Sequence, residues 1–295
     1  MIYRLSGLTG HDRTIIQELQ GTRSWKALVR SAKGTTTRQT PLHCYDAGQY
    51  RVFDAIIVGA IASGLETAPY GDLGSKLAVE MIVDELLIQV RSEGGQWHKP
   101  VLPRVLKSER AATHLFTPLV KQVREGLQIQ AGSNEYDVNH LACTLMAFVA
   151  TPFWMAALHI GGGLLVVRSV EGSYQVLFPD SEVQTIDRLP LTHPQALSTL
   201  QVCVYPQPLS FLCAATPPLI PVALQSPDRT PFSPFFQPLE DYIRDTPVPE
   251  EDASYLVEFL NSESLQSRVS TDRTILLGCY QTLREKRPEE NEAVH

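Results

Sequence analysis

Apolar and polar positions alternate in short runs along most of this chain, with helical rhythm in three places. Trp25–Ser31 (WKALVRS) alternates like a strand, and Lys33–Leu42 is a Gly/Thr/Pro loop. Tyr50–Val58 reads as one strand with an apolar end, and Gly64–Pro69 as a turn. In Gly71–Arg91 the apolar residues at 77, 78, 81, 82, 86 and 90 follow helical spacing, with Asp72 or Ser75 as the N-cap. Leu106–Leu127 predicts a second, more amphipathic helix, and Gly132–Asn139 a polar loop.

From Leu141 the rhythm changes to short strands separated by turn residues: CTLMAFVAT, FWMAALHI, GLLVVRSV and SYQVLF, then Leu200–Val204 and Leu209–Ala215. That is the signature of a β-meander. Pro217–Pro234 holds six prolines and predicts a loop. Phe235–Leu260 returns to helical spacing, broken at Pro247–Pro249, and Thr274–Gln281 is a last strand. Helices before and after a meander predict a layered α+β domain, with antiparallel sheets inside and helices outside. Residues 1–22 form a variable lead-in, 23–283 a single domain, and 284–295 a charged, frayed tail.

Composition narrows the function classes. The chain has 295 residues, 43% hydrophobic and 19% charged, which is enough for a sizeable core. A net charge of -7 lacks the basic footprint of nucleic-acid binding, although Arg23–Lys33 is a local basic patch. Five scattered cysteines (Cys44, Cys143, Cys203, Cys213, Cys279) without a C-x-x-C pair predict a reducing, cytoplasmic setting. No apolar run reaches the ~20 residues of a spanning helix, and MIYRLSGLTGHDRT lacks a signal peptide's apolar segment. No membrane insertion is expected.

Several residues invite chemistry, and most have a plainer reading. Gly161–Gly163 has neither a following helix nor a lysine, so a tight β-turn suits it better than a phosphate loop. Gly71-x-x-Gly74 fits a helix start. His159, in an apolar run, fits a core histidine, and the remaining histidines show no paired ligand spacing. No G-x-S-x-G elbow is present. Asp46, beside His43 and Cys44, is either a polar loop residue or a metal ligand. Trp97 and the aromatics of Phe232–Phe236 fit core packing or a docking surface.

Three apolar segments give the arrangement its meaning: Asp54–Gly64, Trp154–Arg168 and Phe211–Leu224. With Trp25, Gly34–Thr37, Cys44-Tyr45-Asp46, Gly74-Ser75-Lys76-Leu77-Ala78-Val79, Gly161-Gly162-Gly163 with Val166-Val167-Arg168, Thr216-Pro217-Pro218-Leu219 and Thr271-Asp272-Arg273-Thr274, their order resembles the PPM family of metal-dependent type 2C Ser/Thr protein phosphatases, in its bacterial branch. The resemblance spans about Trp25 to Gly278. It implies an α/β/β/α sandwich of two antiparallel sheets flanked by helices, and a pair of Mn²⁺ or Mg²⁺ ions held by carboxylates. Hard divalent cations need several oxygen ligands, and two of them close together need bridging carboxylates.

Matched to the family's motifs, Asp46 retains a metal-ligand aspartate. Gly59 stands at the bridging aspartate, Gly162 at the third motif, Pro217 at the fourth and Thr271 at the last, unless a one-residue slip brings in Asp272. The resemblance therefore implies a degenerate member, with no catalytic residue and no bound cofactor expected. It would work as a protein-binding or regulatory module in Ser/Thr phosphorylation signalling, with a phosphoprotein or kinase as partner. Two alternatives stand beside this. One is an atypical phosphatase with a reduced Mn²⁺ or Mg²⁺ site on Asp46 and Asp272; the other is a structural or assembly protein on the same scaffold.

Overall fold

The computed structural model describes residues 23–35, 44–90, 106, 108–179 and 189–282. The lead-in 1–22, the tail 284–295, His43, Trp97 and most of the expected 33–42 loop lie outside the described residues.

Two five-stranded antiparallel sheets face each other. The first is built from β1 (Arg23–Ala32), β12 (Arg273–Thr282), β9 (Leu209–Ala215), β6 (Leu164–Ser169) and β7 (Tyr174–Val176), in that order. The second runs β2 (Asp46–Phe53), β3 (Ile56–Ser63), β4 (Leu145–Ala150), β5 (Met155–Ile160), β8 (Gln201–Tyr205). The expected meander thus divides between sheets: β4, β5 and β8 join one, and β6, β7 and β9 the other. The first of its crossings is the Gly161–Gly163 turn between β5 and β6, where Gly161 (φ 89°) and Gly163 (φ 152°) take backbone conformations that favour glycine.

Between the sheets Ile57, Ile61, Met146, Phe148, Leu165, Leu212 and Leu276 form a central core. Strands buried on both faces read as continuous apolar runs, which is why β4 and β5 show no alternation. α1 (Gly71–Val90) and α2 (Glu109–Ser133) cover the outer face of the second sheet through Ile82, Leu86, Phe116 and Val123. α4 (Ser233–Asp245) and α5 (Ser254–Asn261) cover the first through Phe236, Leu239, Leu256 and Leu260. The result is the expected α/β/β/α sandwich.

Five local expectations change. Tyr50–Val58 is not one strand, because Asp54 turns the chain at φ 51° and splits it into the β2–β3 hairpin. Asp and Asn tolerate this left-handed region better than bulkier residues. The second helix starts later and runs further than Leu106–Leu127, with the Ser108 side chain accepting from the Ala111 N–H as its N-cap. It therefore absorbs the start of the expected Gly132–Asn139 loop, which then closes in a 3₁₀ turn, Val138–Leu141. α1 starts at Gly71, so Asp72 and Ser75 lie inside its first turns. The proline-rich 217–234 segment is not featureless: it holds a 3₁₀ turn (Pro217–Leu219), the one-turn α3 (Ile220–Ala223), and the short hairpin β10 (Leu224–Gln225) with β11 (Thr230–Pro231).

Among the basic residues of β1, Lys26 donates to the Arg244 and Thr246 carbonyls, and Arg30 to that of Val29. Phe235 and Phe236 are core residues, and only Phe232 of that aromatic run reaches the surface. Among the described residues no helix is long and apolar enough to cross a membrane.

Candidate functional site

One end of the sandwich collects the start of β2, the end of β3, the β5–β6 turn, the residues after β9 and those before β12. Asp46 opens β2 and is only 3% exposed, so it is a strand residue and not part of a polar loop. Its register partner across the hairpin is Ser63, the last residue of β3. Ser63 is pinned in turn by Thr144, whose Oγ1 accepts the Ser63 N–H at 3.0 Å and whose N–H donates to the Ser63 carbonyl at 2.9 Å.

Burial pushes the Asp46 carboxyl up to about 6, against hydrogen bonds from the Ser63 and Thr216 side chains that favour its charged form. Asp272 adds to the rise and the Arg273 guanidinium opposes it. Asp46 Oδ2 is buried without a hydrogen-bond partner among the described residues. Cys44, two residues before, has its thiol pushed up to about 12 by burial and by the Asp272 and Asp46 carboxylates, so it is a poor thiolate.

Asp272 holds the loops together. Its Oδ1 accepts the Gly34 N–H and its Oδ2 the Tyr45 N–H, both at 2.6 Å. The carboxylate is thereby committed to anchoring the chain after β1 and before β2. Beside it Arg273 is wholly buried and donates to the Leu260, Val269 and Thr271 carbonyls. Thr216 ties the end of β9 to β12, its Oγ1 accepting the Thr274 N–H at 2.8 Å.

The structure brings most of the sequence-selected positions together and displaces one. Gly162 and Pro217 meet: a Cβ built on Gly162 would lie 2.9 Å from Pro217 Cγ. Thr271 immediately precedes Asp272 at the same end. Gly59 does not belong to the set. It lies mid-strand, paired with Tyr50 and Phe148, and a Cβ there would meet the Phe148 ring at 2.6 Å and Leu276 at 3.1 Å. The residue beside Asp46 is Ser63, which sequence comparison passed over because the hairpin turn at Asp54 went unread. Asp54 itself lies at the opposite end of the hairpin. Ser63, Thr144 and Thr216 are the site residues that sequence reasoning missed. The only signal for Ser63 was the symmetry of β2 and β3 about Asp54-Ala55.

Arg168 points away from this end, giving Glu240 on α4 a two-pronged ion pair that Tyr174 completes through its hydroxyl. His159 is buried in β5 with its Nδ1 3.4 Å from Gln201 Oε1, as expected of a core histidine.

A pair of hard cations does not fit these residues. Hydroxyl, glycine or proline stands at Ser63, Gly162, Pro217 and Thr271, and Asp272 is bound by two backbone N–H groups. Among the described residues no three or more His, Cys, Asp or Glu side chains are grouped so as to hold a metal ion. Among the described residues Asp46 remains a buried carboxylate among hydroxyls, beside the backbone-bound Asp272, able to accept hydrogen bonds or one positive charge.

A family model described as Protein phosphatase 2C matches residues 33–291. The chain is 25% identical over 264 residues to Serine/threonine-protein phosphatase 3 of Escherichia coli strain K12, covering 87% of this chain and 99% of that protein. The serine/threonine phosphatase Stp1 of Staphylococcus aureus superposes with a TM-score of 0.52 at 11% identity, over 86% of this chain and 94% of that one. A C. elegans sex-determining protein gives 0.55 at 13% identity, over 87% of this chain and 65% of that one. At such identities the two superpositions show the fold alone.

Proposed function

The chain belongs to the protein phosphatase 2C family, and from that premise we propose that it is a catalytically inactive member, a binding or regulatory module in Ser/Thr phosphorylation signalling. One observation carries the reading: at the end of the sandwich where the family's metal-ligand positions converge, Asp46 is, among the described residues, the one carboxylate not committed to backbone anchoring. Such phosphatases use Mn²⁺ or Mg²⁺ to supply the attacking water and to offset phosphoryl charge. Glycine, proline and neutral hydroxyls supply neither the ligands nor the charge balance that two cations require. Replacing carboxylates also removes the mutual repulsion of an unfilled acidic cluster, so the substitutions are consistent with a fold kept for binding.

The domain spans 23–283, with 1–22 and 284–295 as appendages. Its partner is a protein of a phosphorylation pathway, a phosphoprotein or a kinase. The five unpaired cysteines support a reducing, cytoplasmic setting.

Calorimetry with Mn²⁺ together with turnover of a phosphopeptide and an aryl phosphate tests this reading. The expected result is no metal-dependent hydrolysis; metal-dependent turnover abolished by Asp46→Ala would overturn it. A second reading, a phosphatase with a reduced site, is favoured by one observation: the unpartnered Asp46 Oδ2 is a ligand atom for a single cation. Under that reading, wild-type heat of Mn²⁺ binding disappears in Asp46→Ala.

A further inference from the structure

Beside the Asp46 end lies an aromatic platform. Tyr70 closes the turn that follows Ser63 and Gly64, just ahead of α1. Its ring stacks on Tyr136 with centroids 4.2 Å apart and planes 18° from parallel. His140 sits 6.2 Å from Tyr70 and 6.4 Å from Tyr136. The platform is built by backbone bonds between two segments: the Tyr70 N–H donates to the His140 carbonyl, and the Leu65 N–H to that of Ala142, both at 2.9 Å. The next bridge in this direction, Gly64 with Cys143, adjoins the Ser63–Thr144 pair of the candidate site. The hydrogen bond between the two phenols raises the Tyr136 hydroxyl above its ordinary range. Tyr70 remains 37% exposed.

The two segments that carry the platform are strongly acidic. The segments 64–80 and 131–142 carry Glu66, Asp72, Glu80, Glu135 and Asp137, against one lysine, Lys76, which lies 3.9 Å from Asp72. Glu66, Glu135 and Asp137 are exposed. Five carboxylates and one ammonium leave about -4 on these two segments, more than half of the -7 on the whole chain. A tyrosine face on two segments rich in carboxylates attracts cations twice, through the ring quadrupole and through Coulomb steering. It repels a phosphate. Exposed tyrosine is also the residue type that anchors protein interfaces.

We propose that the Tyr70–Tyr136 platform is the docking surface for a basic segment of a partner protein, with an arginine or lysine laid over the Tyr70 ring. This goes beyond the non-catalytic reading and holds whether or not the chain hydrolyses a phosphoester. It assigns the partner a cationic contact, distinct from any phosphorylated residue it carries.

Fluorescence anisotropy with a labelled Arg/Lys-rich peptide, at low and at physiological salt, tests it on the full chain. Wild type is expected to bind with an affinity that falls as salt rises. Tyr70→Phe keeps that affinity, and Tyr70→Ala weakens it by about 2- to 5-fold. The surface double variant Glu66→Lys/Glu135→Lys, which leaves the stack untouched, weakens it by about 5-fold or more. No peptide binding by wild type overturns the proposal, as does binding unchanged in both Tyr70→Ala and the double variant. A length-matched phosphorylated acidic peptide, or spermine, binding as tightly as the basic peptide also overturns it. The phosphatase assays above read the Asp46 end and report on the other reading separately.

Discussion

Asp46 and Ser63 are register partners at the open end of the β2–β3 hairpin, and the serine side chain hydrogen-bonds the carboxylate. A buried carboxylate held by hydroxyls in place of cations keeps its charge at a cost, which appears as a carboxyl group raised from 3.8 to about 6. Because the folded-state value lies above the unfolded one, the folded chain binds this proton more tightly. Stability from Asp46 is therefore present below pH 3.8, is lost as pH rises through about 6, and stays lost above it. The amplitude is on the order of 3 kcal/mol. Thermal melts of wild type and Asp46→Asn between pH 4 and 7 check the sign. The variant should gain on wild type as the pH rises through this window, and a variant that loses ground there contradicts the assignment.

Gly162 and Pro217 act as one unit. Pro217 occupies the space into which a side chain at 162 would project, its Cγ 2.9 Å from a built Cβ. Gly162→Asp should destabilise the protein by about 1–3 kcal/mol through overpacking. Pro217→Ala removes the ring atom involved, so the double variant should recover at least ~0.5 kcal/mol beyond additivity. A double-mutant cycle in urea measures this coupling, and strict additivity would show that the two positions do not share that space.

Much of the architecture was legible because long apolar runs flanked by Gly and Pro leave few alternatives. β4, β5, β9 and β12 were all visible as strands. The site was legible at Asp46 and where its residues adjoin such a run, as at Gly162 and Pro217. The β2–β3 hairpin was not, because its turn rests on one Asp54 in a left-handed conformation between the apolar pairs Val52-Phe53 and Ile56-Ile57. Missing that turn drew attention to Gly59 and away from Ser63, four residues later, the strand partner of Asp46. A glycine whose surroundings are filled by Phe148 and Leu276 is explained by packing between the sheets. The role of Asp272 was hidden for another reason: sequence shows a carboxylate but not the two backbone N–H groups already bound to it.

Asp272 should therefore matter for folding and not for cations. Each of its two hydrogen bonds joins an ionised acceptor to a backbone donor, a class that contributes about 1.5–3 kcal/mol. Asp272→Ala should cost about 3–5 kcal/mol, with Asp272→Asn costing less because one acceptor remains. Urea unfolding gives the stability, and calorimetry should show the same Mn²⁺ heat, or lack of it, in wild type and Asp272→Asn. A selective loss of Mn²⁺ heat in that folded variant would place Asp272 among cation ligands instead.

The last prediction asks whether the fold still forms the cradle that its side chains no longer fill. Ser63 is the cross-strand partner of Asp46, and Pro217 follows the Thr216 whose side chain hydrogen-bonds that carboxyl. Thr271 immediately precedes the Asp272 anchor. Ser63→Asp/Pro217→Asp/Thr271→Asp would restore three carboxylates around Asp46. Without cations the triple variant should melt below wild type, because four buried or half-buried carboxylates repel one another. With Mn²⁺ at 100 times its dissociation constant, binding would return about 2.7 kcal/mol by mass action. Ser63→Asp alone should show the loss without that recovery, since two carboxylates do not hold a hard cation pair. Melting curves with and without Mn²⁺ separate these outcomes. A triple variant that folds but stays indifferent to Mn²⁺ would mean that the backbone, and not only the side chains, has left the metal-binding geometry.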